Sequence, residues 1–174
     1  MYRNSMLSLV TSLGLAAGIT TGCDREPTSP MEATVALAVK IPGADHGGRP
    51  LATTMTQEVT TAPVYAGDPD GHGEALITLN PGQREVCWDI SATNIDLPAS
   101  ASHIHQAAPG VRGGIVVFLT APDATGRATG CTSPVDLELI KDILRNPEAY
   151  YVNVHTFGEF AAGAIRGQLP TLGE

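Results

Sequence analysis

Two histidines that are separated by a single residue are the clearest candidates for chemistry in this sequence. His103 and His105 lie in a stretch that predicts a β-strand, with Ile104 between them. Because successive side chains of a strand point to opposite faces, the two imidazoles leave one face about 6.6 Å apart. His155 lies in the alternating stretch 150–156, whose valines are predicted to point inward and His155 outward. The three imidazoles converge if the two strands are neighbours.

We refer to His103, His105 and His155 as the histidine cluster, and two interpretations of it are open. Neutral imidazole is a good ligand for copper or zinc, so the cluster predicts a metal site, with copper as the favoured ion. A redox or hydrolytic site also needs an open fourth position, for which the sequence shows no dependable ligand. The competing interpretation is that these histidines hydrogen-bond to loops and to Asn153 or Arg166 and so stiffen the fold.

Motifs for other kinds of chemistry are missing from the sequence. Ser102 is only a sequence neighbour of His103, no G-x-S-x-G stretch is present, and no glycine-rich loop opens a helix. His46 and His72 lie in glycine-rich loops and are expected to be exposed to solvent. The net charge of −8 argues against a nucleic-acid partner. The balance favours a protein that is not an enzyme.

The start of the chain is predicted to direct export and not to join the folded core. A basic residue precedes the apolar run 6–19, a pattern typical of a signal peptide, which we assign to residues 1–22. The stretch T-T-G-C that ends at Cys23 resembles a bacterial lipobox, in which the cysteine is lipidated and becomes the new N-terminus. Residues 23–32 are expected to be a polar tether, which predicts a membrane-anchored lipoprotein facing the periplasm or the cell exterior. The alternative is ordinary cleavage near Gly22 that leaves Cys23 free.

Two further cysteines, Cys87 and Cys131, are predicted to form a disulfide. Compartments outside the cytoplasm favour disulfides, and lipidation of Cys23 would leave these two as the remaining pair. The alternating pattern of residues 84–91 places Cys87 on the outer face of its strand. Metal ligation by the two thiolates is the alternative, but neither has a second cysteine or histidine at the spacing of closed zinc sites.

The remaining chain, residues 33–174, is predicted to form a mainly β domain, an antiparallel Greek-key-like β-sandwich with one short α-helix packed on it. Its predicted strands cover residues 33–40, 74–80, 84–91, 114–119, 150–156 and 164–169. The stretch 114–119 is apolar on both faces, which predicts a central strand. The helix is predicted over residues 133–145, with Ser133 as its N-cap and Pro147 just after its end.

Three motifs taken together resemble the CHRD (chordin-type) domain family. They are H-I-H at 103–105, Y-V-N-V-H-T at 151–156 and I-R-G-Q-L at 165–169. The resemblance covers residues 33–169 and implies an immunoglobulin-like or dismutase-like sandwich, as in chordin, whose domains bind growth factors, and in exported bacterial proteins of undefined role. Similar sequences often have Glu before the third motif, where this chain has Ala164. The histidine spacing is also similar, more weakly, to the copper site of copper-zinc superoxide dismutase.

Two functional hypotheses follow from these patterns. The first is a membrane-anchored binding or structural module outside the cytoplasm, which presents its loops to an unknown protein or cell-envelope partner and carries no metal. The second is a copper-binding protein that uses His103, His105 and His155 as ligands, with dismutase-like or copper-handling activity. The two hypotheses differ in whether metal binds in stoichiometric amounts and is lost when any of these histidines is changed.

Overall fold

The computed structural model of the protein describes residues 37–61 and 63–170, which form an antiparallel β fold. The strands are β1 (Arg49–Gln57), β2 (Val59–Thr61), β3 (Val64–Ala66), β4 (His72–Asn80), β5 (Glu85–Thr93), β6 (Ala101–Gln106), β7 (Gly114–Leu119), β8 (Arg127–Thr132), β9 (Tyr150–His155) and β10 (Ile165–Gln168). One α-helix, α1 (Leu137–Arg145), lies between β8 and β9. The predicted signal peptide, Cys23 and the tether lie outside the described residues.

Eight of the strands form one sheet in the order β7-β6-β9-β10-β1-β4-β5-β8. β1 belongs to both halves of this sheet, because residues 49–55 pair with β4 whereas Thr56 and Gln57 pair with β10. The sheet folds over at β1 into a sandwich, and the connections from β5 to β6, β7 to β8 and β8 to β9 cross between its halves. β2 and β3 form a separate hairpin. The predicted antiparallel sandwich with one helix is confirmed.

The core lies between the two halves and is filled by alternate side chains of the strands. The inward residues of β4 and β5 are all buried, namely Ala75, Ile77, Leu79, Val86, Trp88 and Ile90. β9 adds Val152 and Val154, which have no exposed surface. Burial of one such aliphatic side chain contributes on the order of 1.5–3 kcal/mol. The same alternation sends His103, His105 and His155 to the opposite face, away from this core.

The helix begins later than predicted. Asp136, and not Ser133, is its N-cap, because the Asp136 carboxylate accepts a hydrogen bond from the Leu139 amide at 2.9 Å. The residues before it are bonded to the corner between β4 and β5, where the Val135 amide donates to the Arg84 carbonyl at 2.8 Å. This bond keeps the preceding segment out of the helix.

α1 packs on the sandwich through Ile140 and Ile143, both of which are fully buried. The helix ends two residues before Pro147, as predicted, since proline cannot supply the next amide hydrogen bond. No helix of the described residues is long and apolar enough to cross a membrane.

One predicted strand has a different place in the sheet, and another lies partly outside the described residues. β7 is an edge strand and not a central one, because among the described residues it pairs only with β6, and Phe118 is left 70% exposed. The predicted strand 33–40 is described only from Leu37, which is 84% exposed, and Val39 forms a single bridge with Gly48. Apolar composition predicts the strand at 114–119 correctly but does not encode how many neighbours a strand has.

Cys87 and Cys131 form the predicted disulfide. The two residues are direct partners across β5 and β8, with their Cα atoms 4.0 Å apart. Cys87 lies on the outer face, as predicted, but Ile41 and Ala44 pack over it and bury it. Because both sulfur atoms are bonded to each other, the alternative of thiolate metal ligation is wrong.

Candidate metal centre

The histidine cluster is assembled on the outer face of two neighbouring strands, β6 and β9. In their antiparallel register His103 faces Asn153, His105 faces Tyr151, and Ala101 faces His155. The imidazoles therefore leave the same face of the sheet at adjacent positions. The condition under which the sequence predicts convergence, that the two strands are neighbours, is met.

The three imidazoles lie close enough together to share one ion. Each offers one ring nitrogen, and these three nitrogens all lie within 4.8 Å of one another. The Nδ1 atom of His103 is 3.3 Å from the Nε2 atom of His155. Tetrahedral zinc with Zn–N bonds of about 2.0–2.1 Å holds its ligand atoms about 3.4 Å apart. The His103–His155 pair already has this separation, which is also that of a hydrogen bond from His103 Nδ1 to the lone pair of His155 Nε2.

Two loop carbonyls determine which ring nitrogens face the cluster. The Nδ1 atom of His105 lies 3.0 Å from the Gly113 carbonyl oxygen, and that of His155 lies 3.1 Å from the Ala161 carbonyl oxygen. A carbonyl can only accept a hydrogen bond, so both Nδ1 atoms carry the hydrogen and both Nε2 atoms present lone pairs. Metal-binding histidines are commonly oriented by a hydrogen bond of this kind at the other ring nitrogen.

The histidines are held in their neutral form. Burial, with smaller contributions from His155 and His105, lowers the pKa of His103 to about 4. Burial is also the main cause of the lowered pKa values of His105 and His155. Neutral imidazole is the form that binds metal. At neutral pH the three rings are therefore already in the protonation state that metal binding requires.

His105 belongs to a stack of side chains. Its ring lies parallel to the ring of Tyr151 on β9, with the ring centroids 4.8 Å apart. The guanidinium of Arg166, on the next strand β10, lies 3.3 Å from the Tyr151 centroid. Arg166 also donates to the carbonyls of Val111 at 2.7 Å and Ala108 at 2.9 Å. The loop between β6 and β7 is thereby tied to the sheet.

The interpretation of the cluster as a purely structural group finds support in some contacts and not in others. The two loop carbonyls at Gly113 and Ala161 are hydrogen-bond partners of the kind it anticipates. Asn153, which it also names, donates to Glu58 at 3.1 Å and also lies against His105, where a side-chain hydrogen bond acts to raise the pKa of the ring. Arg166 bonds instead to the β6–β7 loop.

A cavity of about 250 Å³ adjoins the cluster. Its walls include His105 and His155 together with Glu58, Asn153 and Arg112. The Arg112 guanidinium lies over the Tyr65 ring at 5.1 Å, near the mouth. Three buried polar atoms of these walls, Glu58 Oε1, Asn153 Oδ1 and His105 Nε2, have no hydrogen-bond partner among the described residues. The cavity thus joins a carboxylate and an amide to the predicted imidazoles.

Glu58 is the site residue that sequence reasoning missed. It lies in the irregular segment between β1 and β2, and no motif marks it. His46 and His72 are not part of the cluster: His46 lies 3.6 Å from the Glu85 carboxylate, and His72 begins β4.

The fold and the site together define an antiparallel β-sandwich domain with a polar centre on the outer face of one half. A sequence model of the CHRD domain matches residues 51–169, which is more than half of the chain and includes the histidine cluster. The chain belongs to the CHRD domain family. Comparisons with curated proteins and with solved structures return no match.

Proposed function

We propose that the protein is an exported binding module, held at a membrane by lipid on Cys23, that binds a transition-metal ion at the histidine cluster. Membership of the CHRD family supports a binding or structural module. The apolar run and the lipobox-like stretch support export and anchoring. The proposal comprises binding and no turnover.

One observation carries the metal-binding part of the proposal: one ring nitrogen from each of three neutral imidazoles lies within 4.8 Å of the other two. His105 Nε2 is buried and, among the described residues, has no hydrogen-bond partner. A buried acceptor without a partner costs about 1–3 kcal/mol, and hydrogen bonds to the loops at Nδ1 do not remove this cost. A metal ion bound at Nε2 does.

Copper and zinc are the ions that this set of ligands favours. Imidazole suits both, whereas the oxygen-binding ions calcium and magnesium prefer carboxylates and carbonyls. Three protein ligands leave a further coordination position, as in sites that exchange a bound ligand. Copper storage, transport or buffering at the cell surface fits a site of this kind on a tethered domain.

The test is elemental analysis of the purified chain after exposure to copper and to zinc, followed by removal of loosely bound metal. We expect about one ion per chain for the unchanged protein and a loss of most of it when His103, His105 and His155 are replaced by Ala. A matched control replaces His46 and His72 by Ala, which leaves the cluster intact. Equal metal content in both variants, or none in the unchanged protein, would contradict the proposal.

A second candidate function is favoured by the exposed edge of the sandwich. β7 has no strand partner on its outer side among the described residues, and Phe118 and Ile115 on it are 70% and 43% exposed. An open, apolar edge strand is a surface to which a protein or another envelope component can add. A photo-crosslinking residue at position 118 should then yield a discrete product at the membrane, and the same residue at position 138 on α1 should not.

A further inference from the structure

Three acceptor atoms in the cavity beside the histidine cluster have no hydrogen-bond partner among the described residues, although the Arg112 guanidinium also lies in its wall. Glu58 is 1% exposed, Asn153 is 1% exposed and His105 is 6% exposed. Asn153 uses its Nδ2 hydrogen on Glu58 Oε2, so its remaining atom, Oδ1, can only accept. His105 has its hydrogen on Nδ1, toward Gly113. When Glu58 is ionised, two oxygens and one nitrogen therefore present lone pairs to the same space, and burial raises the pKa of the Glu58 carboxyl there.

Glu58 is held rigidly in this wall. Its amide donates to the Ala164 carbonyl at 3.1 Å, and its own carbonyl accepts from the Gly67 amide at 2.6 Å. Gly163, at φ +138°, packs directly against the carboxylate, so that a Cβ atom there would overlap it. The position of the carboxylate is thus fixed by the backbone as well as by Asn153. Because the carboxylate is held in place, a hydrogen-bond donor for Oε1 has to enter the cavity.

Glu58 is too far away to be one of the ligands of the ion itself. The group of ligand atoms that lie within 4.8 Å of one another contains the three histidines and does not contain Glu58, among the residues described. Yet Glu58 shares the cavity with His105 and His155. The shared cavity, of about 250 Å³, has room for a small ligand.

A metal-bound water matches the unpartnered atoms one for one. Its oxygen lone pair binds the ion, and its two hydrogens can be donated to two acceptors. The wall supplies two oxygens, Glu58 Oε1 and Asn153 Oδ1, and the ion itself takes the lone pair of His105 Nε2. One ion and one water therefore satisfy all three buried atoms.

We propose that the cavity is the open fourth coordination position of the bound metal, and that Glu58 and Asn153 hold an exchangeable water there. This inference rests on the proposed metal binding and adds a residue role and a ligand class to it. Small ligands that can displace water, such as azide, enter through the cavity and bind the ion next to Glu58.

The test uses the full chain loaded with cobalt(II), whose visible absorption reports a change of ligand, and titrates it with azide. Azide has no hydrogen to donate to a carboxylate, so Glu58 disfavours it. In Glu58→Gln the Asn153 amide still bonds to the side-chain oxygen, and the new NH₂ group points to the cavity as a donor. We expect Glu58→Gln to bind azide at least about tenfold more tightly, with cobalt content unchanged. Glu74→Gln, an exposed change on β4, is the control and should match the unchanged protein.

A second variant keeps the test informative if Glu58→Gln fails to fold. Ala162 lies on the rim of the cavity and is exposed, so Ala162→Phe should fill the entrance, keep the cobalt and weaken the azide response. Cobalt-loaded proteins whose azide affinity is the same in the unchanged chain and in both variants would overturn the inference while leaving metal binding intact. Absence of cobalt from the unchanged chain would instead overturn the proposed metal site itself.

Discussion

At the scale of single residues, the site consists of three uncharged histidines that lie close together. Three imidazoles whose nitrogens lie within 4.8 Å of one another would repel strongly if protonated, and the outer face of the sheet at this point is covered by loops. Burial lowers the pKa of each ring, most clearly that of His103, to about 4. At neutral pH these rings are therefore unprotonated, and a metal ion does not have to displace a proton from them.

The lowered pKa values predict that the metal-free protein loses stability in mild acid. The unfolded chain binds a proton at His103 near pH 6.5, whereas the folded chain does so only near pH 4. Stability is therefore retained above pH 6.5 and falls between these two values, by up to about 3 kcal/mol for this residue. Urea unfolding at pH 7 and pH 4.5 measures it.

His103→Gln is the variant that isolates this effect, because it removes the titrating group and keeps a polar side chain. Its unfolding free energy should change less between pH 7 and pH 4.5 than that of the unchanged protein. His72→Gln, at the start of β4, should retain the full acid sensitivity. Identical pH dependence in all three proteins would contradict the account of a buried, neutral cluster.

The residues of the site differ in how far the sequence could reveal them. Strand alternation places His103, His105 and His155 on one face, because period two is set by backbone geometry. Glu58 is not predictable in this way, since it lies in irregular backbone and meets Asn153 across 95 positions of sequence. Its backbone amide also donates to the carbonyl of Ala164, the residue just before β10.

At the scale of elements, the predictions succeed for strands whose sequences alternate between apolar and polar residues. β4, β5 and β9 each bury one face in the core, and their alternation shows it. β7 is predicted as a central strand but is an edge strand among the described residues, because apolar side chains do not specify whether a second strand pairs beside it. The helix start is also misplaced, since several residues near position 133 suit an N-cap and only the fold decides that the Asp136 carboxylate reaches an amide.

The disulfide ties the edge strand β8 to β5, and its removal should lower stability. The Cys87–Cys131 bridge closes 44 residues, for which loop entropy gives a stabilisation of up to about 4 kcal/mol. Replacing both cysteines by Ala should reduce the unfolding free energy by a large part of this amount in urea. Thr129→Ala, an exposed position on β8, is the control and should change it by less than about 0.5 kcal/mol. A chain whose unfolding midpoint is insensitive to reductant would contradict this role.

At the scale of the whole molecule, the three motifs that carry the family resemblance lie on adjacent strands. H-I-H is on β6, Y-V-N-V-H-T on β9 and I-R-G-Q-L on β10, and these strands are neighbours in the sheet. The stack from His105 through Tyr151 to Arg166 contains one residue from each motif. The motifs are distant in sequence and become one structure only in the folded sheet, so their joint occurrence predicts the site better than any one of them.

The predicted anchor is a property of the whole molecule and can be tested in cells. Lipid on Cys23 should place the chain in the membrane fraction, since two or more acyl chains give stable attachment. Cys23→Ser should move it to the soluble exported fraction, whereas Thr28→Ser in the tether should not. Mass spectrometry of the extracted chain should find a diacylated or triacylated N-terminal cysteine. An unmodified, soluble chain in the unchanged protein would refute the anchor.

The central claim is that the three histidines bind one metal ion through the ring nitrogens that face one another within the histidine cluster. Nitrogen NMR of the full chain with ¹⁵N-labelled histidine, before and after one equivalent of zinc, tests it most directly. We predict that the Nε2 signals of His105 and His155 shift on zinc binding, that their Nδ1 hydrogens remain on Gly113 and Ala161, and that the His103 signals shift with them. Unchanged signals from all three rings in the presence of zinc and of copper(I) would contradict the claim.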